Sequence, residues 1–149
     1  MSGDARYTAC CGLYCRDCIP SNEPLFATAA ALETMLSDLQ FERYAALEAR
    51  ELPAFRDYPA FARVLGELQK LRCKAVCVEG GPKADCRIRA CVREKGFRGC
   101  WECAGFEGCG LLEPLVAHHP GLRHNLRMIG LYGPDDWSER RGRHYRWSR

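Results

Sequence analysis

The chain has 149 residues, 28% of them charged, with a net charge of +3. That length suits one domain burying roughly two thirds of its unfolded surface. The first nine residues, MSGDARYTA, lack the basic start and apolar core of a secretory leader, and no apolar run approaches the roughly 18 residues needed to cross a bilayer, so the sequence reads as cytoplasmic with no membrane partner. Eleven cysteines is several times ordinary usage and an odd number. In a reducing compartment that density points to metal thiolates rather than a disulfide framework.

The first block, CCGLYCRDCIP at residues 10 to 20, sets Cys11, Cys15 and Cys18 at C-x3-C-x2-C spacing beside Cys10. Some 54 cysteine-free residues follow. From Pro24 to about Arg50 the apolar residues Leu25, Ala29, Leu32, Leu36 and Leu39 recur at helical spacing, and Pro59 to Leu71 places Phe61, Leu65, Leu68 and Leu71 on one side of a second helix. Pro53 and Pro59 bracket the connector. The pair reads as a helical hairpin, 24–71, that closes over a core and brings the two cysteine blocks together. In the second block CRIRACVREKG, 86–96, reads as a short helix capped by Gly96. Helices are expected over Gly110 to His119 and Leu122 to Leu131, with a last one starting at Pro134. Strand signals are weak throughout. The expected fold is a mainly α, small metal-stabilised cysteine-rich domain with irregular zinc-binding loops. It spans 1–149 as a single domain, with a cysteine-rich region at 10–112 and a helical C-terminal extension at 113–149 that ends in a basic tail.

The second block spaces its thiols as Cys73-x3-Cys77, Cys86-x4-Cys91 and Cys100-x2-Cys103-x5-Cys109. A CxxC pair on a tight turn points two thiolates at one tetrahedral centre, and a second pair completes the four ligands of a structural zinc. Leaving out Cys10, ten cysteines fill two such sites with two to spare, so two Zn(II) ions are expected. Nearness in sequence groups Cys86, Cys91, Cys100 and Cys103. The other site joins Cys11, Cys15 and Cys18 to one of Cys73, Cys77 or Cys109. Arg16, Arg72, Lys74, Arg87, Arg89 and Arg98 lie beside the thiols and favour bound thiolates.

Iron and sulfide use the same ligand type, so a [4Fe-4S] cluster in a redox or electron-transfer protein is the alternative. The radical-SAM enzymes share the C-x3-C-x2-C spacing but need a large α/β barrel that this helical pattern does not offer. Neither CxxC has the βαβ context of a redox dithiol. No serine nucleophile elbow, P-loop or HExxH stands in the chain, and no catalytic residue is assigned. His118, His119, His124 and His144 follow the thiols and read as surface or partly packed residues. Cys10 reads as a packed, unused thiol.

The cysteine block with its intervening residues resembles the cysteine-rich bacterial and archaeal family catalogued as domain of unknown function 3795. That family's pattern runs CGL-x-C-x-x-C, a cysteine pair, C-x-IR-x-C-x-x-x-KG, C-x-x-C and F-x-x-C, and the match spans about residues 10 to 112. It includes Gly12-Leu13, Ile88-Arg89 and Lys95-Gly96. Cys11, Cys15, Cys18, Cys77, Cys86, Cys91, Cys100, Cys103 and Cys109 fall on the family's cysteines; Cys73 stands further from Cys77 than the usual pair, and Cys10 has no counterpart. The resemblance implies a zinc-binding protein.

The tail SERRGRHYRWSR carries five arginines against one acid, a net +4 that leaves −1 for the rest of the chain. Arg140, Arg141, Arg143 and Arg146 can neutralise phosphates and Trp147 can stack on a base, which makes RNA or single-stranded DNA the partner to set beside an unknown protein. The opposing expectation is a helix whose Tyr145 and Trp147 pack onto the domain while the arginines stay solvated. The sequence is thus read as a non-catalytic interaction module held by structural tetrathiolate sites.

Overall fold

A computed structural model describes residues 3–149. The chain is mainly helical, and among the described residues no strand forms beyond one antiparallel bridge between Thr8 and Tyr14. The α-helices are α1 (Glu23–Asp38), α2 (Phe41–Glu48), α3 (Tyr58–Leu68), α4 (Arg87–Glu94), α5 (Glu113–Val116) and α6 (Leu122–Tyr132). No helix is long and apolar enough to cross a membrane among the described residues. The chain packs as two compact units. One joins the chain up to Ser21 with Cys73–Arg149, and the other is Asn22–Arg72.

The Asn22–Arg72 unit contains three α-helices where the sequence pattern gave two. The long first helix breaks at Gln40, whose φ of 50° lies in the left-handed region, so α1 stops and α2 begins in a new direction. Asn22 caps α1 by accepting a hydrogen bond from the Leu25 amide (3.1 Å), with Pro24 in the first turn. The buried face is also rotated from the expected one. Ala29 is buried as expected and Phe26 is buried beside it, whereas Leu25, Leu32 and Leu39 are exposed, Leu39 at 71%. Ala45 and Leu65 are buried too. The Phe41 ring lies 5.3 Å from Tyr58 and 6.3 Å from Phe55. Gln69 donates to the Phe26 carbonyl (3.0 Å), and Arg72 pairs with Glu23 at the unit's ends.

In the other unit, Ile88 and Val92 of α4 pack with Cys100, Leu112, Leu122 and Leu126. Tyr14, Ile129 and Trp137 form an adjoining cluster. Trp137 is fully buried, and its indole N–H donates to the Thr8 hydroxyl (2.7 Å). Tyr14 and Ser138 both donate to the Asp4 carboxylate, which ties the start of the chain to its last third. Asn125 is buried and uses both ends of its amide: Nδ2 donates to the Gly12 carbonyl (2.9 Å), and Oδ1 accepts from the Gly142 amide (2.7 Å). Gly12 sits at φ 87°, and a Cβ there would meet the Leu126 side chain at 2.8 Å.

Of the helices expected after the cysteines, that over Leu122 to Leu131 forms as α6, Leu122–Tyr132, while the other two are cut short. Gly110 to His119 yields only the four residues of α5, and beyond Gly133 the expected last helix is replaced by turns with a single 3-10 turn at Ser138–Arg140. Burial of Trp137 and close approach of Gly142 to Gly121 (a Cβ on Gly142 would lie 2.9 Å from the Gly121 Cα) hold the tail along the domain instead of in a coil.

Candidate metal centres

Both CxxC segments fold the same way. Cys15–Asp17 and Cys100–Glu102 are 3-10 turns closed by the amides of Cys18 and Cys103, each 3.1 Å from the carbonyl of the first cysteine. In a 3-10 turn residues three apart are eclipsed, which sets both thiols of a pair on one side. Cys77 opens a third such turn, Cys77–Glu79, and Cys109 follows a fourth, Phe106–Gly108.

The turns bring distant thiols together. Cys73 returns to the first block through its amide, which donates to the Pro20 carbonyl (2.8 Å). Cys77 hydrogen-bonds to Cys15 through its thiol and its backbone, so Cys15 is held below its ordinary value, at about 7, while the Cys77 proton becomes harder to remove. Cys18 is raised by burial and then by the charges of Cys73 and Cys15, against the lowering effect of the Tyr145 hydroxyl. Cys15, Cys18, Cys73 and Cys77 therefore form one electrostatic neighbourhood.

Cys91, Cys100, Cys103 and Cys109 form a second. All four line one cavity of about 30 Å³ with Lys95 and a wall of Ile88, Val92 and Phe97. Burial pushes Cys100 up to about 12, and the charges of Cys10, Cys109, Cys91 and Cys103 push in the same direction. Cys10, Cys11 and Cys86 make a third neighbourhood against the same core. Burial pushes Cys11 up to about 12 and also raises Cys10.

Sequence proximity grouped Cys86 with Cys91, Cys100 and Cys103. Cys86 precedes α4 in an extended conformation and Cys91 lies on the helix, and of the two Cys91 lines the cavity shared with Cys100, Cys103 and Cys109. Cys109 lines that cavity, and Cys73 and Cys77 lie electrostatically near Cys15 and Cys18, with Cys11 acting on Cys77 as well. All eleven thiols are free, and among the described residues no group of three or more His, Cys, Asp or Glu side chains is arranged to hold a metal ion as it stands. In donor chemistry each foursome offers four sulfur ligands, the set that a thiophilic metal takes.

Few of the neighbouring cations reach sulfur. Arg98 pairs with Glu102, Arg72 with Glu23, and Arg16 lies over the Tyr7 ring. Lys95 is the exception that the basic-residue pattern did not single out, with Nζ 3.8 Å from the Cys103 sulfur. At the first neighbourhood Tyr145 plays the matching part, its hydroxyl 3.7 Å from Cys18 and accepting from the Ile19 amide at 3.1 Å. Arg89 clamps the Cys77 loop by donating to the carbonyls of Cys77 (3.3 Å), Lys83 and Ala84 (3.0 Å). These roles explain why Ile88-Arg89 and Lys95-Gly96 occur as pairs: Ile88 fills the core while Arg89 holds a thiol loop, and Lys95 faces a thiol while Gly96 takes the left-handed cap at φ 69°. Tyr145 has no local signal of this kind.

The histidines pack among the tail's own atoms. His119 Nδ1 lies 2.7 Å from the His144 carbonyl and His124 Nε2 lies 2.8 Å from that of Arg140. His144 is buried with Nε2 unpartnered, and burial with the nearby His119 pushes it down to about 4, so its ring is neutral. Of the tail residues assigned to nucleic acid, Arg141 grips both carboxylate oxygens of Asp17 (2.5 and 3.2 Å), and Arg140 lies over the Tyr132 ring at 4.1 Å. Arg143, Arg146 and Trp147 are exposed.

No curated protein and no solved structure matches the chain. Residues 7–114 match the family described as "Protein of unknown function (DUF3795)", well over half of the 149 residues and the whole of both cysteine blocks, and the chain belongs to that family.

Proposed function

We propose that this protein binds two zinc ions in structural tetrathiolate sites and serves as a non-catalytic interaction module. The observation that supports the reading best is the sorting of eight thiols into two foursomes, one of which unites cysteines some 54 residues apart in the sequence. Cys15, Cys18, Cys73 and Cys77 would hold one ion, and Cys91, Cys100, Cys103 and Cys109 the other. Four thiolates fill the coordination of Zn(II) and leave no position for substrate, so the metal contributes folding free energy instead of bond-making chemistry. Lys95 and Tyr145 offset the negative charge of the thiolates by donating to Cys103 and Cys18. Cys10, Cys11 and Cys86 lie outside both sets.

The test is metal analysis with a visible spectrum on untagged protein purified without oxygen. About two zinc per chain and no visible absorption are expected. Cys103→Ser should lower the content to about one and destabilise the fold, while Cys10→Ser keeps both ions. Unchanged zinc and unchanged melting in Cys103→Ser would sink the assignment. Iron with matching sulfide and a broad visible band would instead make the same cysteines cluster ligands in an electron-transfer protein.

A further inference from the structure

We propose that Arg143–Arg149 forms a platform for single-stranded nucleic acid, with the Trp147 indole as the surface on which one base stacks and Arg143, Arg146 and Arg149 as its phosphate contacts. Trp147 is 69% exposed, yet it is supported from below. Its ring lies flat on Tyr145, with centroids 4.8 Å apart and planes 2° from parallel. The turn that carries it is closed from both ends: the Tyr145 amide donates to the Ser148 hydroxyl, and the Ser148 amide donates to the Tyr145 carbonyl, each at 3.1 Å. Tyr145 is in turn anchored by the Ile19 amide, by the Cys18 sulfur and by the rings of His144 (4.4 Å) and His119 (5.1 Å). The result is a large exposed aromatic face braced from beneath, which lowers the conformational entropy to be lost when a flat ring settles on it.

Charge selects the occupant. Among the described residues Arg143, Arg146 and Arg149 are exposed and form no ion pair, and Arg143 reaches only the Arg146 carbonyl (3.4 Å). Arg140 and Arg141 drop out of the set expected from the sequence, because the first lies over Tyr132 and the second is committed to Asp17. Three free guanidinium groups around an open indole suit a polyanion that also offers unpaired aromatic rings. A single strand has both, whereas a duplex keeps its bases stacked inside. The platform does not depend on which metal the thiols hold.

The experiment is a fluorescence-anisotropy titration of a labelled oligothymidylate of about 15 nucleotides with the full chain, across salt from about 50 to about 200 mM. The single strand should bind more tightly than a duplex of the same length. Trp147→Ala should weaken binding by about 5- to 100-fold, and Trp147→Phe should restore most of it. Replacing Arg143, Arg146 and Arg149 together by Gln should flatten the slope of log affinity against log salt by about 2, at roughly 0.7 per phosphate contact. Arg50→Gln with Arg56→Gln, a charge control in the Asn22–Arg72 unit, should change neither quantity. The proposal is overturned by unchanged affinity in Trp147→Ala, by an equal loss in the charge control, or by failure of the single strand to bind at low salt. Binding to anionic phospholipid vesicles with no binding to the oligonucleotide would overturn it as well, by assigning the same face to a lipid surface.

Discussion

At the scale of single residues, Asn125 does more to define the fold than any feature of its sequence context announces. Each half of its amide satisfies a backbone group of a different segment, Gly12 beside the first thiols and Gly142 in the tail. Removing a side chain that leaves one buried and one half-buried backbone group unpaired costs the desolvation of both, on the order of 2–4 kcal/mol in total. Asn125→Ala should therefore lower the urea midpoint by that amount with an unchanged slope; a loss under about 0.5 kcal/mol would mean that water replaces both bonds. An asparagine on an amphipathic helix looks like any solvent-facing position, so this role was illegible in the sequence. The motif glycines were more legible. Gly12 and Gly96 occupy positive φ, and Gly12 also lies under Leu126, so each position favours glycine.

At the scale of elements, helical periodicity located α1, α3, α4 and α6 well, because each carries an apolar stripe long enough to repeat. It failed in two ways. It ran α1 and α2 together, since nothing about a glutamine marks the left-handed residue that separates them, and it chose Leu25, Leu32 and Leu39 over Phe26 as the buried register. The 3-10 turns at the thiols have no apolar period at all, although the CxxC spacing marks two of them. The helical insert makes a prediction of its own. Its ends meet where the Cys73 amide reaches the Pro20 carbonyl, so a linker of about three residues can join Ser21 to Cys73 without stretching the chain. Such a shortened protein should take up the two zinc ions proposed above and keep a cooperative transition. The excised Asn22–Arg72 segment, whose buried large side chains are Phe26 and Leu65 with the small Ala29 and Ala45, should give a weakly helical spectrum without cooperative melting. Loss of metal from the shortened chain would show that the insert supports the thiols directly.

At the scale of the whole molecule, the boundary of the family match and the boundary of the packed core do not coincide. The match ends at residue 114, yet Leu122, Leu126, Ile129 and Trp137 lie beyond it and are buried to within 1%. Leu122 and Leu126 pack in one cluster with Ile88, Val92, Cys100 and Leu112 of the matched segment, and Trp137 packs on Tyr14. Sequence reading drew the same division, treating 113–149 as an extension, because cysteine spacing is the loudest signal in the chain and it stops at Cys109. The core does not stop there. Fully burying a side chain of this size contributes about 1.5–3 kcal/mol, so the four together contribute about 6–12, as much as the entire stability of an ordinary domain. A protein ending at residue 114 should accordingly show no cooperative thermal transition and a featureless near-ultraviolet circular dichroism spectrum even with zinc in excess, whereas the full chain melts sharply. A sharp transition within a few degrees of the full-length value would show instead that the thiol-rich segment folds alone and that the extension is an appendage.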